Sequence, residues 1–230
     1  MARGSKLSSE VKQIATQLGA DLVGIASEKA FEYAPPGYRP RDVLKGARSV
    51  VVVAVALPGA ALESAPSREY SASYMSANNE LNRIAFRIAK FLQDKDYRAV
   101  QVPASPPYDL ERMKGDISHR HAGEQAGLGV FGKNSLLLSP KYGARIRLVS
   151  VITDVDLTPD RRLEKDFCID CDKCIRACPA KALKGGRNVD KKACDEQHLR
   201  IGKKLGLSGW EQVCGVCIRV CPVGVDAKKR

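Results

Sequence analysis

The sequence predicts an α+β fold, a sheet covered by helices and followed by a small cysteine-built domain. Three observations carry this. Apolar β-branched runs and amphipathic stretches alternate up to about residue 157. All eight cysteines fall between Cys168 and Cys221. Between the two regions stand Pro159 and the charged run DRRLEKD, residues 160–166. The expected domains are therefore 1–159 and 160–230. A chain of 230 residues that is 44% apolar is long enough for one ordinary domain and a small appended one.

The elements follow in chain order. Residues 7–18 place Leu7, Val11, Ile14, Ala15 and Leu18 on one helical face, with Ser8 or Ser9 near the start and Gly19 at the stop. DLVGIA (21–26) is a short apolar strand. ARSVVVVAVAL (47–57) is a strand whose unbroken β-branched run implies burial on both faces. Residues 78–92 repeat apolar side chains at i, i+3, i+4, i+7, i+8 and i+11 (Leu81, Ile84, Ala85, Ile88, Ala89, Leu92), an amphipathic helix. A strand at 98–102, a helix at 117–126 closed by Gly127 and Gly129, and a strand at 145–156 complete the first region.

No window reaches the 18 or more apolar residues of a membrane helix. The longest candidate, residues 49–62, is broken by Pro58. Positive charge near the N-terminus has no apolar segment behind it, so the expected location is the cytoplasm, away from membranes. Two thirds of the +12 net charge lies in residues 141–230. A basic region of this kind suits an acidic redox carrier, a nucleic acid or an acidic protein, or serves only solubility.

In a cytoplasmic chain, disulfides are the lesser use of so dense a cysteine cluster. FCIDCDKCIRACP (167–179) has the spacing C-x2-C-x2-C-x3-C-P. Thiolates at this spacing wrap one face of an iron–sulfur cubane, and the fourth cysteine of such a run ligates the other cluster. Further cysteines are present for that cluster: Cys194, Cys214, Cys217 and Cys221, the last followed by Pro222. Crossed ligation uses all eight. One [4Fe–4S] cluster takes Cys168, Cys171, Cys174 and Cys221, and the other takes Cys178, Cys194, Cys214 and Cys217. Two zinc sites of four cysteines each are the alternative, but zinc ribbons carry separated pairs and no x2-x2-x3-Pro run.

Upstream, HAGEQAGLGVFGKNSLLLSPKYGARIRLVSVITD (121–154) sets Gly127, Gly129 and Gly132 close together, where backbone can approach a neighbour. A dinucleotide fingerprint would follow a strand, whereas this follows a helix, and Asn134 stands where a Walker loop has Ser or Thr. The segment, joined to the double cysteine module, resembles the epoxyqueuosine reductases and their relatives the reductive dehalogenases. In that group an A-G-L-G helix precedes G-[KR]-N, an apolar strand, a P-x-Y-G turn and a V-x-T-D strand. The likeness spans about residues 40–225 in order of elements. It implies a nitroreductase-like domain binding cobalamin base-off, followed by a two-cluster bacterial-ferredoxin-like domain that feeds electrons to cobalt.

The resemblance also implies roles for residues. Ala126, Gly127, Leu128, Gly129, Gly132, Lys133, Asn134 and Tyr142 become candidate corrin contacts, with His119 as a further one; His121, two positions on, points elsewhere on a helix. Tyr74, placed ahead of the 78–92 helix, becomes the candidate acid, assisted by Lys133. Epoxyqueuosine reductases carry an aspartate ahead of the A-G-L-G helix, at the position of Met113 here, so Asp116 is the substitute proton donor. Longer members continue into a helical-repeat region that helps hold tRNA. Both departures point away from the family's best-known substrate.

The function expected is a cytoplasmic iron–sulfur, cobalamin-dependent reductase. It would pass electrons from a donor such as flavodoxin or ferredoxin to a small-molecule or nucleotide-derived electrophile. The alternative is an electron-transfer or redox-regulatory protein that serves a partner without catalysis of its own. A third reading is tRNA binding through the basic region.

Overall fold

The structure, a computed structural model, describes residues 3–105, 109, 111, 114–169, 171–207 and 213–224. In order the elements are α1 (Arg3–Gln17), β1 (Leu22–Ser27), a 3-10 turn (Glu28–Phe31), α2 (Pro40–Val43), β2 (Ser49–Ala56), α3 (Gly59–Glu63), α4 (Arg68–Gln93) and β3 (Ala99–Val102). They continue with α5 (His119–Gln125), β4 (Val130–Phe131), β5 (Leu137–Leu138), β6 (Ile146–Thr153), α6 (Lys173–Arg176), α7 (Lys191–Leu205) and α8 (Val216–Arg219).

The chain forms two compact units, and both are discontinuous. The first holds residues 1–55, 78–128 and 147–164; the second holds 56–77, 129–146 and 165–230. The boundary expected at 159/160 thus lies close to the last crossing, at 164/165. Two earlier excursions, 56–77 and 129–146, belong with the cysteines instead of with the sheet. The physical reason is that those segments pack on residues far away in sequence, which no local pattern records.

In the first unit a four-stranded sheet runs β1-β2-β6-β3. β1 pairs antiparallel with β2, from Leu22 opposite Ala54 to Ser27 opposite Ser49, and β3 pairs antiparallel with β6, from Ala99 opposite Thr153 to Val102 opposite Ser150. These antiparallel pairs are joined through helices and longer segments and not by tight turns, which gives a mixed helix/sheet fold. The run Val50 to Ala54 is fully buried, as a central strand covered on both faces requires. Leu7, Val11 and Ala15 of α1 and Leu81, Ile84, Ala85, Ile88 and Leu92 of α4 form one core with Ile25, Val51, Val53, Val149 and Val151. Each fully buried Leu, Ile or Val there contributes about 1.5–3 kcal/mol. Gly19, at φ +105°, ends the α1 region. Asp160 then fastens three parts of this unit, taking Lys12 Nζ at 2.5 Å and the Ile25 N–H at 2.8 Å.

In the second unit β4 and β5 form a hairpin, Val130 opposite Leu138 and Phe131 opposite Leu137. Its loop is the stretch GKNSL, residues 132–136. The Gly132 N–H donates to the Leu136 carbonyl and the Ser135 N–H to the Gly132 carbonyl, both at 2.9 Å. The short helices α6 (KCIR) and α8 (VCIR) are equivalent. Each follows a left-handed residue, Asp172 at φ 51° and Gly215 at φ 60°. Each is followed two residues later by Cys-Pro. The weak sequence repeat of the two cysteine runs is therefore a structural repeat within this unit.

Candidate functional site

The repeat brings its cysteines together in two groups. Cys168, Cys171, Cys174 and Cys221 line one cleft, together with Lys133, Asn134 and Leu138. Burial pushes the Cys174 and Cys221 thiols up, and like-charge repulsion from Cys168 and Cys171 pushes both further. The second group is recognised in the same way. Burial raises Cys194 to about 11, with Cys214 and Cys178 as neighbours. It raises Cys217 most, reinforced by Cys214, Cys194 and Cys178 and then by Cys174 of the first group. Cys194, on α7, stands in for the leading cysteine that the second run lacks, which explains its isolation in the sequence.

Eight half-buried or buried thiols, all free, would repel one another as thiolates without a positive charge between them. Iron supplies that charge, and soft sulfur ligands suit it. Two groups of four thiols, with no harder ligand among them, are a donor set that fits iron–sulfur clusters.

Upstream segments of the same unit hold the cysteine loops. Tyr70, 2% exposed, packs on Gly215, where a Cβ would come 2.7 Å from the ring. Arg219 donates to the Ala65 carbonyl and Arg68 to the Leu205 carbonyl. Gly143 and Gly224 pack backbone to backbone just beyond Cys221. His198, one turn after Cys194, accepts the Val213 and Cys214 N–H groups at Nδ1, at 3.1 and 3.3 Å. Burial lowers its pKa, in keeping with a neutral ring whose Nδ1 is an acceptor. Its position four residues from a cysteine on one helix is the only signal that the sequence offers for it.

The glycine-rich segment packs closely on the chain's own backbone. A Cβ on Gly127 would collide with the Arg161 carbonyl, and one on Gly129 with the Leu138 carbonyl. Ala126 and Leu128 are buried, and in the first unit they lie against Gly24 of β1. The close approach that these small residues permit is made by the chain's own backbone. Gly132 leaves room for Leu138 and for the Asn134 Oδ1, which a Cβ would meet at 2.6 and 2.9 Å. Lys133 Nζ pairs with Asp172 Oδ1 at 2.8 Å at the cysteine cleft.

His119 does not present a free nitrogen. Nε2 donates to the Pro103 carbonyl and Nδ1 meets the Ser150 hydroxyl, both at 2.8 Å. Burial, and Arg147 after it, lower its pKa to about 4. It is a neutral, packed histidine. Asp116 is exposed, and the cap of α5 is Ser118, which accepts from the His121 N–H and contacts His121 Nδ1 at 2.8 Å. Met113 lies outside the described residues.

Tyr74 sits within α4, not ahead of it, because the helix begins ten residues earlier than its apolar stripe. The Ser67 hydroxyl accepts the Tyr70 N–H at 3.0 Å and starts it. The Tyr74 ring lies 6.2 Å from that of Tyr70. Tyr142 is half-buried between cations, Lys141 at 4.9 Å and Arg145 at 5.4 Å from its ring. Arg147 contacts Asn78 at 3.0 Å. No helix among the described residues is long and apolar enough to cross a membrane.

Comparison with known proteins agrees with this geometry. Residues 167–224 match the 4Fe-4S double cluster binding domain family. The epoxyqueuosine reductase of Bacillus anthracis is 28% identical over 261 aligned residues, which cover 94% of this chain and 64% of that protein. The chain thus spans just under two thirds of that relative's length. The fold is shared with the crystal structure of epoxyqueuosine reductase with a tRNA-Tyr epoxyqueuosine-modified tRNA stem loop. There the TM-score is 0.69 at 22% identity, covering 95% of this chain and 65% of the other. A reductive dehalogenase, whose structure suggests a mechanism for B12-dependent dehalogenation, gives a TM-score of 0.77 at 22% identity, covering 98% of this chain and 33% of the other.

Proposed function

We infer that this chain belongs to the superfamily of the epoxyqueuosine reductases and reductive dehalogenases and works as an iron–sulfur reductase. The single observation that carries this is the convergence of the eight cysteines in two groups of four, joined through Cys174 and Cys217. Cys168, Cys171, Cys174 and Cys221 would hold one [4Fe–4S] cluster; Cys178, Cys194, Cys214 and Cys217 would hold the other. Such clusters supply single electrons at low potential.

The chain's own residues bury and orient these ligands. Tyr70, Ala65, Leu205 and Val223 fix the loops, and the Ala182 N–H donates to Cys178 Sγ at 3.3 Å. Lys133 and Asp172 close the first cleft as a neutral pair. An acidic carrier such as a flavodoxin or ferredoxin would deliver electrons to the basic face of α7, where Lys192, Arg200, Lys203 and Lys204 are exposed. The same residues would serve tRNA, the third reading. The electron acceptor would be a small or nucleotide-derived electrophile, with Tyr74 as the candidate acid.

A cobalamin in a nitroreductase-like domain is proposed on the likeness to a B12-dependent dehalogenase. Within the glycine-rich segment the Cβ sides of Gly127 and Gly129 face the chain's own carbonyls, and both His119 nitrogens are hydrogen-bonded, so a corrin would meet other surfaces of these residues. The test is anaerobic reconstitution of the protein with iron, sulfide and cobalamin. About eight irons with retained corrin absorbance and turnover of an epoxide or organohalide are expected. Eight irons without retained corrin would refute the cobalamin part alone.

One observation favours electron transfer to a partner without catalysis. Lys133, the cation expected to assist an acid, is paired with Asp172 at the cluster cleft. Reduction of a partner protein without turnover of any small electrophile would establish that reading.

A further inference from the structure

Asn134 is 3% exposed, and its carboxamide is satisfied at one end only. Oδ1 accepts the Leu136 N–H at 3.1 Å, which decides which end of the amide is oxygen. Nδ2 is buried without an acceptor. A buried donor left unpaired costs about 1–3 kcal/mol, so such an atom calls for a partner. Ser71 Oγ and Gln101 Oε1 are the other such side-chain atoms among the described residues, and neither residue lines the cysteine cleft. Asn134 does, beside Cys168, Cys171, Cys174 and Cys221. The loop is built to hold it there. Gly132 leaves the space that Oδ1 occupies, and the adjoining Lys133 is fastened to Asp172 of the same cleft.

Sulfur atoms of a cluster and its thiolates accept hydrogen bonds. Such bonds stabilise the reduced cluster, which carries more negative charge, over the oxidised one. We propose that Asn134 Nδ2 donates a hydrogen bond to a sulfur of the cluster held by Cys168, Cys171, Cys174 and Cys221, and thereby raises that cluster's reduction potential. Within the G-K-N motif, Gly132 then supplies space, Lys133 an anchor and Asn134 the donor. This rests on the two-cluster reading, which iron analysis tests separately.

The experiment is an EPR-monitored redox titration of the anaerobically reconstituted full chain, compared with Asn134→Leu and Asn134→Ser. With Asn134→Leu, one of two potentials should move negative while the other stays, at unchanged iron content. Asn134→Ser, which keeps a donor, should recover part of the shift. Two unmoved potentials, or two that move together, would overturn the proposal. So would unmoved potentials with weakened cobalamin retention, which would assign the amide to a corrin. The unaltered protein gives a second measurement should either variant fail to fold. With asparagine side chains labelled with 15N, pulsed EPR of the reduced protein should show a coupled nitrogen, and its absence would equally overturn the proposal. A chain that takes up no iron would instead sink the cluster reading.

Discussion

The backbone of Gly143 lies against the carbonyl of Val223, with no room for a side chain between them. Gly143, at φ +57°, is the glycine of the P-K-Y-G turn, and Val223 follows Cys221 and Pro222. The turn therefore sets where Cys221 stands. Gly143→Ala adds a methyl group that must displace the Cys221 segment, besides left-handed strain of about 1–2 kcal/mol. Iron content should fall from about eight to about four per chain. Gly46→Ala is the control: φ is +85° there, but nothing lies within 4 Å, and the iron should be retained.

Crossed ligation is separable from simple ligation by double substitution. If Cys178 and Cys214 serve one cluster, Cys178→Ser with Cys214→Ser should remove only that cluster and leave about four irons. If each cysteine run held its own cluster, the same pair would damage both, and iron analysis would approach zero. Cys174→Ser with Cys178→Ser should give the reverse result, striking both clusters under crossed ligation.

His119 gives the fold a pH dependence. Its folded pKa, about 4, lies below its ordinary value of 6.5. The unfolded chain therefore binds the proton more tightly, and stability is full above pH 6.5 and is lost as pH falls toward 4. The loss from this residue is at most roughly 3 kcal/mol. Denaturant melts across that range should show it, and His119→Gln should flatten its part of the profile. A wild-type profile unchanged by the substitution would contradict the assignment.

The basic face of α7 predicts a salt effect. Reduction of the clusters by an acidic flavodoxin should slow steeply as salt rises, because exposed charges are screened beyond about 10 Å at 0.1 M. Lys203→Glu with Lys204→Glu should lower that rate about tenfold or more, within the range of electrostatic steering. Reduction by dithionite, measured by stopped flow, should be unaffected. Equal rates with flavodoxin for variant and wild type would place the docking face elsewhere.

What the sequence revealed depended on whether a signal was local. The stripe Leu81, Ile84, Ala85, Ile88 and Leu92 was legible because one face of one helix meets one core. The earlier part of α4 was not, because Tyr70 buries against Gly215, nearly 150 residues later and outside the period of the stripe. The spacing of the cysteines was local enough to suggest a partition between two clusters. The neighbours of the glycines were not legible, since a glycine records that something comes close without recording what. Asn134 and His198 matter through atoms whose partners are distant or absent from the sequence pattern.

The crossing of the two cysteine runs has a consequence for biosynthesis. Under the proposed ligation, each cluster needs a residue from the stretch 214–221 as well as one from 168–178. A ribosome that has released only the first run has made four cysteines that cannot close a cubane. Iron insertion must wait until Cys217 and Cys221 have emerged and the upstream turns have folded onto them. The scaffold that delivers the iron would then meet a client whose two cysteine runs have already come together.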